Sequence, residues 1–408
     1  MSAQSTDRCD VAIVGGGMVG ASLALALART TLRVLLIEAV PAESTQQPSF
    51  DDRVTALGNG ARCILETLGV WGEIDSRAGP IREIHVSDAG HFGFARLRAS
   101  EQQLAAFGFT LSNRDIGSAM WRALKRNQRI EVRSPARVTQ VRLEPESAIL
   151  HVQDARGAES LVSARLAVAA DGAHSLVKQA AGIASENKSY EQVAVVANVR
   201  TDRAAQGIAF ERFTGTGPLA VLPLHDGAYM VVWTLAPQIA QAMCQCGEQE
   251  FCRELQGSFG WRAGRFLQVG KRSSYPLALV RAQASRGERV ALIGNAAQAL
   301  HPVAAQGFNL GLRDAAVLAE LVAASSDPGS PELLARYAER RASDRAGMIA
   351  FTDRLVKLFS TQRPWAVIAR DLGLLLFDVS PVAKRGLSRL SWGFGDALPR
   401  LSRGLPLS

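Results

Sequence analysis

Cysteine and histidine are scarce in this chain, and their scarcity argues against two classes of protein. The 408 residues include five cysteines, at positions 9, 63, 244, 246 and 252, and six histidines. An odd, scattered set of cysteines in a long chain is not typical of a disulfide-bonded protein. The pattern therefore favours a reducing compartment. No histidine lies near Cys244, Cys246 and Cys252 in the sequence, and a zinc site normally needs four nitrogen or sulfur ligands. We therefore predict no metal site.

Long hydrophobic runs are also lacking, with one exception near the amino terminus. Residues 11–28 carry no charge over 18 positions, close to the length of a membrane span. Three consecutive glycines beginning at Gly15 divide this run into a β-branched strand and an Ala/Leu helix. The preceding Asp7, Arg8 and Asp10 lack the positive bias of a signal peptide. We therefore expect a cytoplasmic protein.

Acidic residues are sparse in the last part of the chain. From Arg340 to the end there are twelve Lys/Arg against five Asp, a surplus of seven out of a total net charge of +8. No alternation of basic and aromatic residues accompanies this surplus, which argues against nucleic acid as a partner. Two interpretations stay open. The segment is either a solvated helical face or an interfacial helix on an anionic membrane surface or acidic partner, and the latter would place the protein at the inner face of the membrane.

The rest of the composition is that of an ordinary globular protein. Hydrophobic residues make up 47% and charged residues 21% of the chain, whose length allows two or three domains. Buried strands at 10–14 and 33–38, with a helix at 21–29 between them, predict a βαβ unit. Periodicity further predicts an irregular stretch at 80–104, a helix at Ser112–Arg126, an antiparallel meander over 130–170, strands within 190–284 with a helix near 246–256, a strand at 289–293, a helix at Leu310–Ala324 and helices after Pro331.

A glycine-rich turn joins the first predicted strand to the first predicted helix. Gly15 permits the tight turn, Gly17 lets the backbone approach a pyrophosphate, and Gly20 allows close packing of helix on strand. The amino terminus of the helix offers N–H groups and a positive partial charge to the phosphates. Glu38 ends the second strand, where its carboxylate can accept hydrogen bonds from ribose hydroxyls. This motif alone predicts either NAD or FAD.

Two later motifs favour FAD. Asp171 and Gly172 begin the segment DGAHS after a predicted buried strand, and the run GNAAQALHP from Gly294 to Pro302 follows another. Together with the glycine turn, and in this order, they resemble the single-component FAD-dependent aromatic hydroxylases, whose founding fold is that of p-hydroxybenzoate hydroxylase. The resemblance extends from residue 10 to about 345. It implies FAD as the cofactor and NAD(P)H as a co-substrate.

The resemblance also implies roles for individual residues. Asn295 would hold a ribityl hydroxyl and Pro302 would line the flavin ring. The backbone of Gly307, Phe308 and Asn309 would lie at the pyrimidine edge, where the amino terminus of the helix beginning near Leu310 stabilises negative charge on the reduced ring. Asp171 and Gly172 would serve the pyrophosphate and the docking of NAD(P)H.

Three more residues match family contacts with FAD. Arg53 matches an arginine beside the cofactor, although a surface ion pair with Asp51 or Asp52 is an alternative. Asn113 or Arg114 matches a second contact. The catalytic residue is unknown. His301 is a candidate acid or base, and its alternative role is to structure the flavin loop.

One departure from the family pattern narrows the resemblance. Where the family usually has G-D-A-A-H, this chain has Asn295 and Gln298, a variant of the ubiquinone-biosynthesis hydroxylases that act on 2-polyprenyl-6-methoxyphenol. Asn still accepts a hydrogen bond through its carbonyl, so the variant is compatible with FAD. Further similarity to this branch lies in the segments FDDR from Phe50, HVSD from His85, FERFT from Phe210, GPLA from Gly217, FCRELQ from Phe251 and KRSSYPL from Lys271.

The resemblance implies a fold and a reaction. The fold is α/β: a doubly wound, Rossmann-like FAD-binding domain (1–79, 105–185 and 286–340), an inserted β-sheet substrate domain (80–104 and 186–285) and a helical region (341–408). In the reaction, NAD(P)H reduces FAD, O₂ forms a C4a-hydroperoxide, and a prenylated phenol is hydroxylated. The alternatives are a sister hydroxylase acting at another ring position, a hydroxylase of a small polar aromatic, and a non-catalytic flavin-binding scaffold. Other ubiquinone-biosynthesis proteins are possible partners of the basic region.

Overall fold

A computed structural model describes residues 6–41, 44, 51, 53–299, 306–360, 364–380, 382–384, 386 and 398–407. Its strands form three sheets. They are β1 (Thr6–Val14), β2 (Val34–Ile37), β3 (Val54–Gly58), β4 (Gly79–Ile81), β5 (Glu83–Asp88), β6 (Phe94–Arg98), β7 (Gly108–Ser112), β8 (Ile130–Arg133), β9 (Ala136–Leu143), β10 (Ala148–Asp154), β11 (Glu159–Ala169), β12 (Ser185–Thr201), β13 (Ile208–Thr214), β14 (Gly217–Pro223), β15 (Tyr229–Leu235), β16 (Phe266–Val269), β17 (Ser273–Ala282), β18 (Arg286–Gly287), β19 (Val290–Leu292) and β20 (Gln298–Ala299).

The helices lie before, between and after these strands. They are α1 (Met18–Leu27), α2 (Asn59–Thr67), α3 (Asn113–Arg126), α4 (Leu176–Ala180), α5 (Pro237–Gln245), α6 (Glu248–Phe259), α7 (Gln306–Ala323), α8 (Pro331–Ser360) and α9 (Pro364–Val379). The predicted helix at Ser112–Arg126 is confirmed, with Ser112 as its N-cap. The helix predicted near 246–256 corresponds to α6, and α5 precedes it.

The first sheet is built on a parallel core with the strand order β19-β11-β1-β2-β8. Val11 and Ile13 of β1 point to a core shared with α1, α3 and α7, while Ala12 and Val14 point to the opposite face. Strands β9 and β10 cover that opposite face. The predicted βαβ unit and the Rossmann-like class are confirmed, and an antiparallel meander replaces a helical layer on one side.

The predicted meander over 130–170 is wrong at its first strand. Residues Ile130–Arg133 pair in parallel with β2 and form the edge of the parallel sheet, whereas β9, β10 and β11 are antiparallel. Alternation of apolar residues does not reveal the direction of a neighbouring strand. The sequence of this stretch is therefore equally compatible with parallel and antiparallel pairing. Pro135, which has no N–H to donate, lies where the chain leaves the sheet between β8 and β9.

The second sheet has the strand order β20-β17-β12-β15-β14-β13-β5-β6, with β16 beside β12. One face packs against α5 and α6 in a core that contains Phe210, Val231 and Trp233. The other face is turned toward the start of β3, where the Sδ of Met230 lies 3.2 Å from the backbone N of Val54. The prediction of an irregular stretch at 80–104 is wrong, since β5 and β6 pair there as an antiparallel hairpin.

The carboxy-terminal helices extend across both large sheets. Tyr337 of α8 is fully buried, and its hydroxyl donates to the carbonyl oxygen of Leu292 in β19 at 2.8 Å. Helix α9 packs on β6 at the edge of the second sheet. Among the described residues, no helix has both the length and the apolar character that crossing a bilayer requires.

Candidate functional site

The glycine turn lies between β1 and α1 and is pressed against the end of β11. Gly15 has a φ of 104°, and a methyl group there would lie 2.5 Å from the carbonyl carbon of Ala170. A methyl group at Gly20 would lie 2.0 Å from the oxygen of Gly15. Both positions therefore require glycine, as the sequence predicts. Gly17 caps α1 without a side-chain hydrogen bond, and the first turn holds no acidic residue, so its N–H groups suit an anion.

Glu38 and Trp121 fix the shape of this turn. The Glu38 carboxylate accepts hydrogen bonds from the backbone N–H groups of Gly16 and Val40, the latter at 2.8 Å, and is largely buried. The indole Nε1 of Trp121 in α3 donates to the oxygen of Gly16 at 2.9 Å. The sequence does not predict Trp121 as a site residue, because no sequence pattern indicates that it contacts Gly16.

Asp171 begins the second motif and carries an oxygen without a partner. Its Oδ2 accepts from the N–H of Leu176 at 3.1 Å, while its Oδ1 is buried and has no hydrogen-bond partner among the described residues. Burial raises the pKa of this carboxyl. Gly172 follows with a φ of 88°. Because a buried acceptor without a donor is costly, this oxygen fits a site that a bound group completes.

The third motif converges on the first. Gly294 has a φ of 57°, and a methyl group there would lie 3.1 Å from the Cγ2 of Val19 in α1. A methyl group at Gly311 of α7 would lie 2.8 Å from the same atom. Small residues thus let α1, α7 and the turn after β19 meet closely. Asn295, in that turn, is exposed and available to a ligand.

Helix α7 begins at Gln306, four residues before the predicted Leu310. Gly307, Phe308 and Asn309 therefore belong to its first turn and not to a loop that precedes it. The Asn309 side chain is buried, accepts from the N–H of Gly58 and donates to the oxygen of Ala56, both at 2.8 Å. These bonds hold the amino terminus of α7 against the end of β3, which overrides the weak helix propensity of Gly and Asn.

A buried ionic cluster lies beneath this motif. Asp314 has no exposed surface and accepts from Gln298 at 2.9 Å, from Gly294 N at 3.1 Å and from Arg341 at 2.7 Å. The guanidinium of Arg345 lies 3.1 Å from Oδ1 of Asp314, the same oxygen that accepts from Arg341. Although burial opposes ionisation, the positive charges of Arg345 and Arg341 hold the pKa of Asp314 below its usual value. Gln298, which stands where the aromatic hydroxylases usually have histidine, thus donates to a buried carboxylate.

Arg53, Asn113 and Arg114 meet around Asp51. The Arg53 guanidinium forms an ion pair with the Asp51 carboxylate and lies 4.6 Å from the ring centre of Tyr275. Asn113 donates to the same carboxylate at 3.1 Å, and the backbone N–H of Arg114 donates to the backbone carbonyl oxygen of Asp51, also at 3.1 Å. The alternative ion pair of Arg53 is therefore present. Arg53 lies between β3 and the second sheet, and its predicted contact with the cofactor would be made there.

One carboxyl lies on the second sheet's face that is turned toward β3. A row in register across β12, β15, β14, β13 and β5 consists of Val196, Val232, Ala220, Glu211 and Val86, all of them half-buried. The row lies opposite the face packed by α5 and α6. Burial raises the pKa of Glu211 to about 7. A half-buried carboxyl whose pKa is shifted in this way is a candidate functional group.

His301 and Pro302, the remaining predicted site residues, lie outside the described residues. The others come together in two groups. Gly15, Gly17, Gly20, Glu38, Asp171, Gly172 and Asn295 lie at the carboxyl end of the parallel sheet, and Gly307, Phe308, Asn309, Arg53, Asn113 and Arg114 lie along β3 and the first turns of α3 and α7. The uncapped helix, the unpartnered Asp171 oxygen and the Glu38 carboxylate fit FAD.

Comparison with known proteins agrees with this geometry. A family model described as an FAD binding domain matches residues 8–352. The ubiquinone hydroxylase UbiL of Rhodospirillum rubrum is 37% identical over 99% of this chain and 95% of its own length. The 3-demethoxyubiquinol 3-hydroxylase of Escherichia coli is 30% identical over 94% of this chain and 98% of its own. Human mitochondrial ubiquinone biosynthesis monooxygenase COQ6 is 29% identical over 94% and 93% of the two chains.

Solved structures share the fold. The p-nitrophenol 4-monooxygenase PnpA of Pseudomonas putida superposes with a TM-score of 0.78 over 95% of this chain and 99% of its own, at 20% identity. PqsL of Pseudomonas aeruginosa, in complex with 2-aminobenzoylacetate, superposes with a TM-score of 0.74 over 90% of this chain and all of its own, also at 20% identity. These similarities establish the architecture without indicating a substrate.

Proposed function

Because this chain belongs to the FAD binding domain family and is an FAD-dependent monooxygenase of the ubiquinone-biosynthesis hydroxylases, we propose that it hydroxylates a polyprenyl phenol. The proposed substrate is 2-polyprenyl-6-methoxyphenol, on the strength of the Asn295 and Gln298 variant of the flavin loop. NAD(P)H, the reductant typical of these enzymes, and O₂ are the proposed co-substrates. A sister reaction at another ring position is the nearest alternative.

The observation that carries the proposal is the largely aliphatic row on the face of the second sheet that is turned toward β3. Four of its five members, Val86, Val196, Ala220 and Val232, are aliphatic, and the fifth is Glu211. An aliphatic surface suits the ring and prenyl chain of a lipid-like phenol. It does not suit a small aromatic acid, because Glu211 would repel a substrate carboxylate and no arginine belongs to this row.

We assign FAD binding to the residues that converge at the end of the parallel sheet. The uncapped N–H groups of α1 would hold the pyrophosphate, and Glu38 would hold the ribose. Asp171 would lie in the pyrophosphate region, where its unpartnered oxygen would accept a hydrogen bond from a cofactor hydroxyl and not from the phosphates themselves. The amino terminus of α7, at Gly307 to Asn309, would stabilise negative charge at the pyrimidine edge. When bound, FAD supplies the transfer of electrons from NAD(P)H to O₂ and of one oxygen atom to the ring.

Glu211 supplies the proton chemistry in this proposal. A phenol is attacked more readily by an electrophilic oxygen when its hydroxyl proton is shared with a base, because the ring becomes richer in electrons. The ionised Glu211 carboxylate would accept that proton, and a pKa of about 7 matches a base working near neutral pH. The surrounding aliphatic row would keep water from competing for the carboxylate.

We also propose bounds for the domains of the chain and a location at the membrane. We propose the FAD-binding domain as residues 1–79, 105–185 and 286–340, the substrate domain as 80–104 and 186–285, and the helical region as 341–408. The chain would work at the inner face of the membrane, since its substrate is lipophilic and its last segment is basic. Other ubiquinone-biosynthesis proteins are further candidate partners.

Deletion of the gene, followed by identification of the quinone precursor that accumulates, tests the proposed reaction. The expected precursor is the 2-polyprenyl-6-methoxyphenol, one hydroxyl short of the next intermediate, and a plasmid copy should restore the quinone. Accumulation of a precursor already oxygenated at that position would move the reaction to a sister site. Normal quinone levels in the deletion strain, with no second copy of the gene, would overturn the proposal.

A further inference from the structure

Helix α9 has its charged residues turned inward. The Arg370 side chain is 1% exposed and forms an ion pair with Asp88 of β5. The Asp371 carboxylate accepts from the N–H of Gly93 at 3.2 Å, and the Asp378 carboxylate accepts from the N–H of Arg96 at 2.7 Å. The β5–β6 hairpin therefore binds the polar side of α9.

The outward face of α9 is apolar. Ile368, Leu372, Leu376 and Val379 are 55%, 50%, 68% and 74% exposed, and Val382 just after the helix is 79% exposed. Their spacing of four, four and three residues places the helical members on one stripe. This is the reverse of a solvated amphipathic helix, whose charges face water. Contiguous exposed apolar surface of this kind marks a site that another surface covers.

Charge identifies the occupant. Residues 354–395 contain seven Lys/Arg and two Asp, and both Asp face the hairpin. Arg370 and Lys384 are also turned inward, toward Asp88 and Glu101, so five basic residues of this segment remain to give it a positive charge. A second copy docking on the stripe would bring the same positive segment against the first, and like charges repel. An anionic lipid surface complements both features, because it accepts apolar side chains below its headgroups and attracts Lys and Arg to them.

We infer that the stripe of Ile368, Leu372, Leu376 and Val379 inserts into the interfacial layer of an anionic lipid bilayer. Helix α9 would then lie flat on the membrane and not cross it. Because α9 packs on β6, this edge of the second sheet would lie at the lipid surface. This inference rests on the proposed function in one respect, which is that a prenylated phenol dissolves in the bilayer.

Flotation of the full-length, FAD-loaded protein with lipid vesicles tests the inference. Vesicles of phosphatidylcholine alone are compared with vesicles that contain about one-third phosphatidylglycerol. We expect binding to the anionic vesicles and a loss of about tenfold or more in the L372E/L376E variant. The matched control is L267E, which changes a leucine that is 50% exposed on β16, and it should bind like the wild type.

The outcomes separate the alternatives. Equal flotation of wild type and L372E/L376E overturns the inference, and so does a wild type that ignores vesicles but dimerises through α9 in sedimentation experiments. L372A/L376A, which removes apolar area without adding charge, should show an intermediate loss and covers the case in which the glutamates disturb folding. Hydroxylation of a short-chain, water-soluble phenol is measured in parallel. If that activity is present while flotation fails, only the membrane inference is lost.

Discussion

At the scale of single residues, the proposed cofactor and substrate sites depend on positions where one added or missing atom changes the chemistry. Gly15 and Gly20 have no room for a methyl group, and Glu38 spans the end of β2 and the glycine turn. These positions were predictable because their spacing within 24 residues carries the motif. Glu211 was not predictable. In FERFT, Glu211 and Arg212 are adjacent polar residues, so the segment does not tell which of the two lies on the face turned toward β3.

Replacement of Gly20 by alanine should weaken FAD binding. The added methyl group would lie 2.0 Å from the Gly15 oxygen, so α1 must move away from the turn that it supports. We expect the dissociation constant for FAD to rise at least about tenfold in titrations of the apoprotein. The control is Gly257→Ala in α6, where a methyl group meets no atom within 4 Å. Unchanged FAD affinity in Gly20→Ala would contradict the assignment of the turn.

Glu211→Gln should lower hydroxylation and change its dependence on pH. Below about pH 7 the wild-type carboxyl is protonated and cannot accept the phenol proton, so the wild-type rate should rise with pH through 7 and then level off. The variant should be slower by about 10²-fold and lack this rise. Reduction of FAD by NAD(P)H should be unaffected, as should both activities in Glu254→Gln, a change on the exposed side of α6. A variant with the wild-type pH profile would exclude the role.

At the scale of elements, contacts between segments far apart in sequence set what local patterns cannot. The βαβ unit follows from strand and helix patterns within residues 10–38. The start of α7 does not, because Asn309 is held by Gly58 and Ala56, some 250 residues earlier in the chain. The direction of β8 relative to β2 is likewise absent from its own alternation. The buried cluster around Asp314 joins the turn after β19, α7 and α8. Gly294 and Gln298 belong to the GNAAQALHP motif, but nothing in that motif indicates that they contact Asp314.

Asp314→Asn should destabilise the fold because it leaves Arg345 buried without its counter-charge and leaves Arg341 paired with Asp344 alone. Breaking one side of a buried ion pair costs about 3–5 kcal/mol, and urea unfolding at neutral pH measures it. Glu66→Gln, which breaks an exposed ion pair with Arg62, should cost less than about 1 kcal/mol.

The effect of Asp314 should also depend on pH. Its pKa is lowered in the folded state, so its contribution is present above the unfolded pKa and is lost as the pH falls through the folded one. The difference between wild type and Asp314→Asn should therefore shrink as the pH falls below the ordinary pKa of an aspartate, about 4. A difference that is constant over the acidic range would show that the charge of Asp314 is not what stabilises the cluster.

At the scale of the whole molecule, the carboxy-terminal helices connect the two large sheets. Helix α8 is bonded to β19 through Tyr337, and α9 is bonded to the β5–β6 hairpin through Arg370 and Asp378. The carboxy-terminal helices thus contact both the sheet that carries the proposed flavin site and the second sheet, and α9 also exposes the apolar stripe. Only the charge of this segment was evident from sequence, since composition does not tell which face of a helix is turned inward.

The central claim is that the chain transfers one oxygen atom from O₂ to a prenylated phenol. Incubation of the FAD-loaded protein with NAD(P)H, ¹⁸O₂ and a polyprenyl phenol, followed by mass spectrometry of the product, tests it directly. We expect a hydroxylated phenol that contains one ¹⁸O atom, formed in proportion to the NAD(P)H consumed. Consumption of NAD(P)H with hydrogen peroxide as the only oxygen product, or a hydroxyl group derived from water, would contradict it.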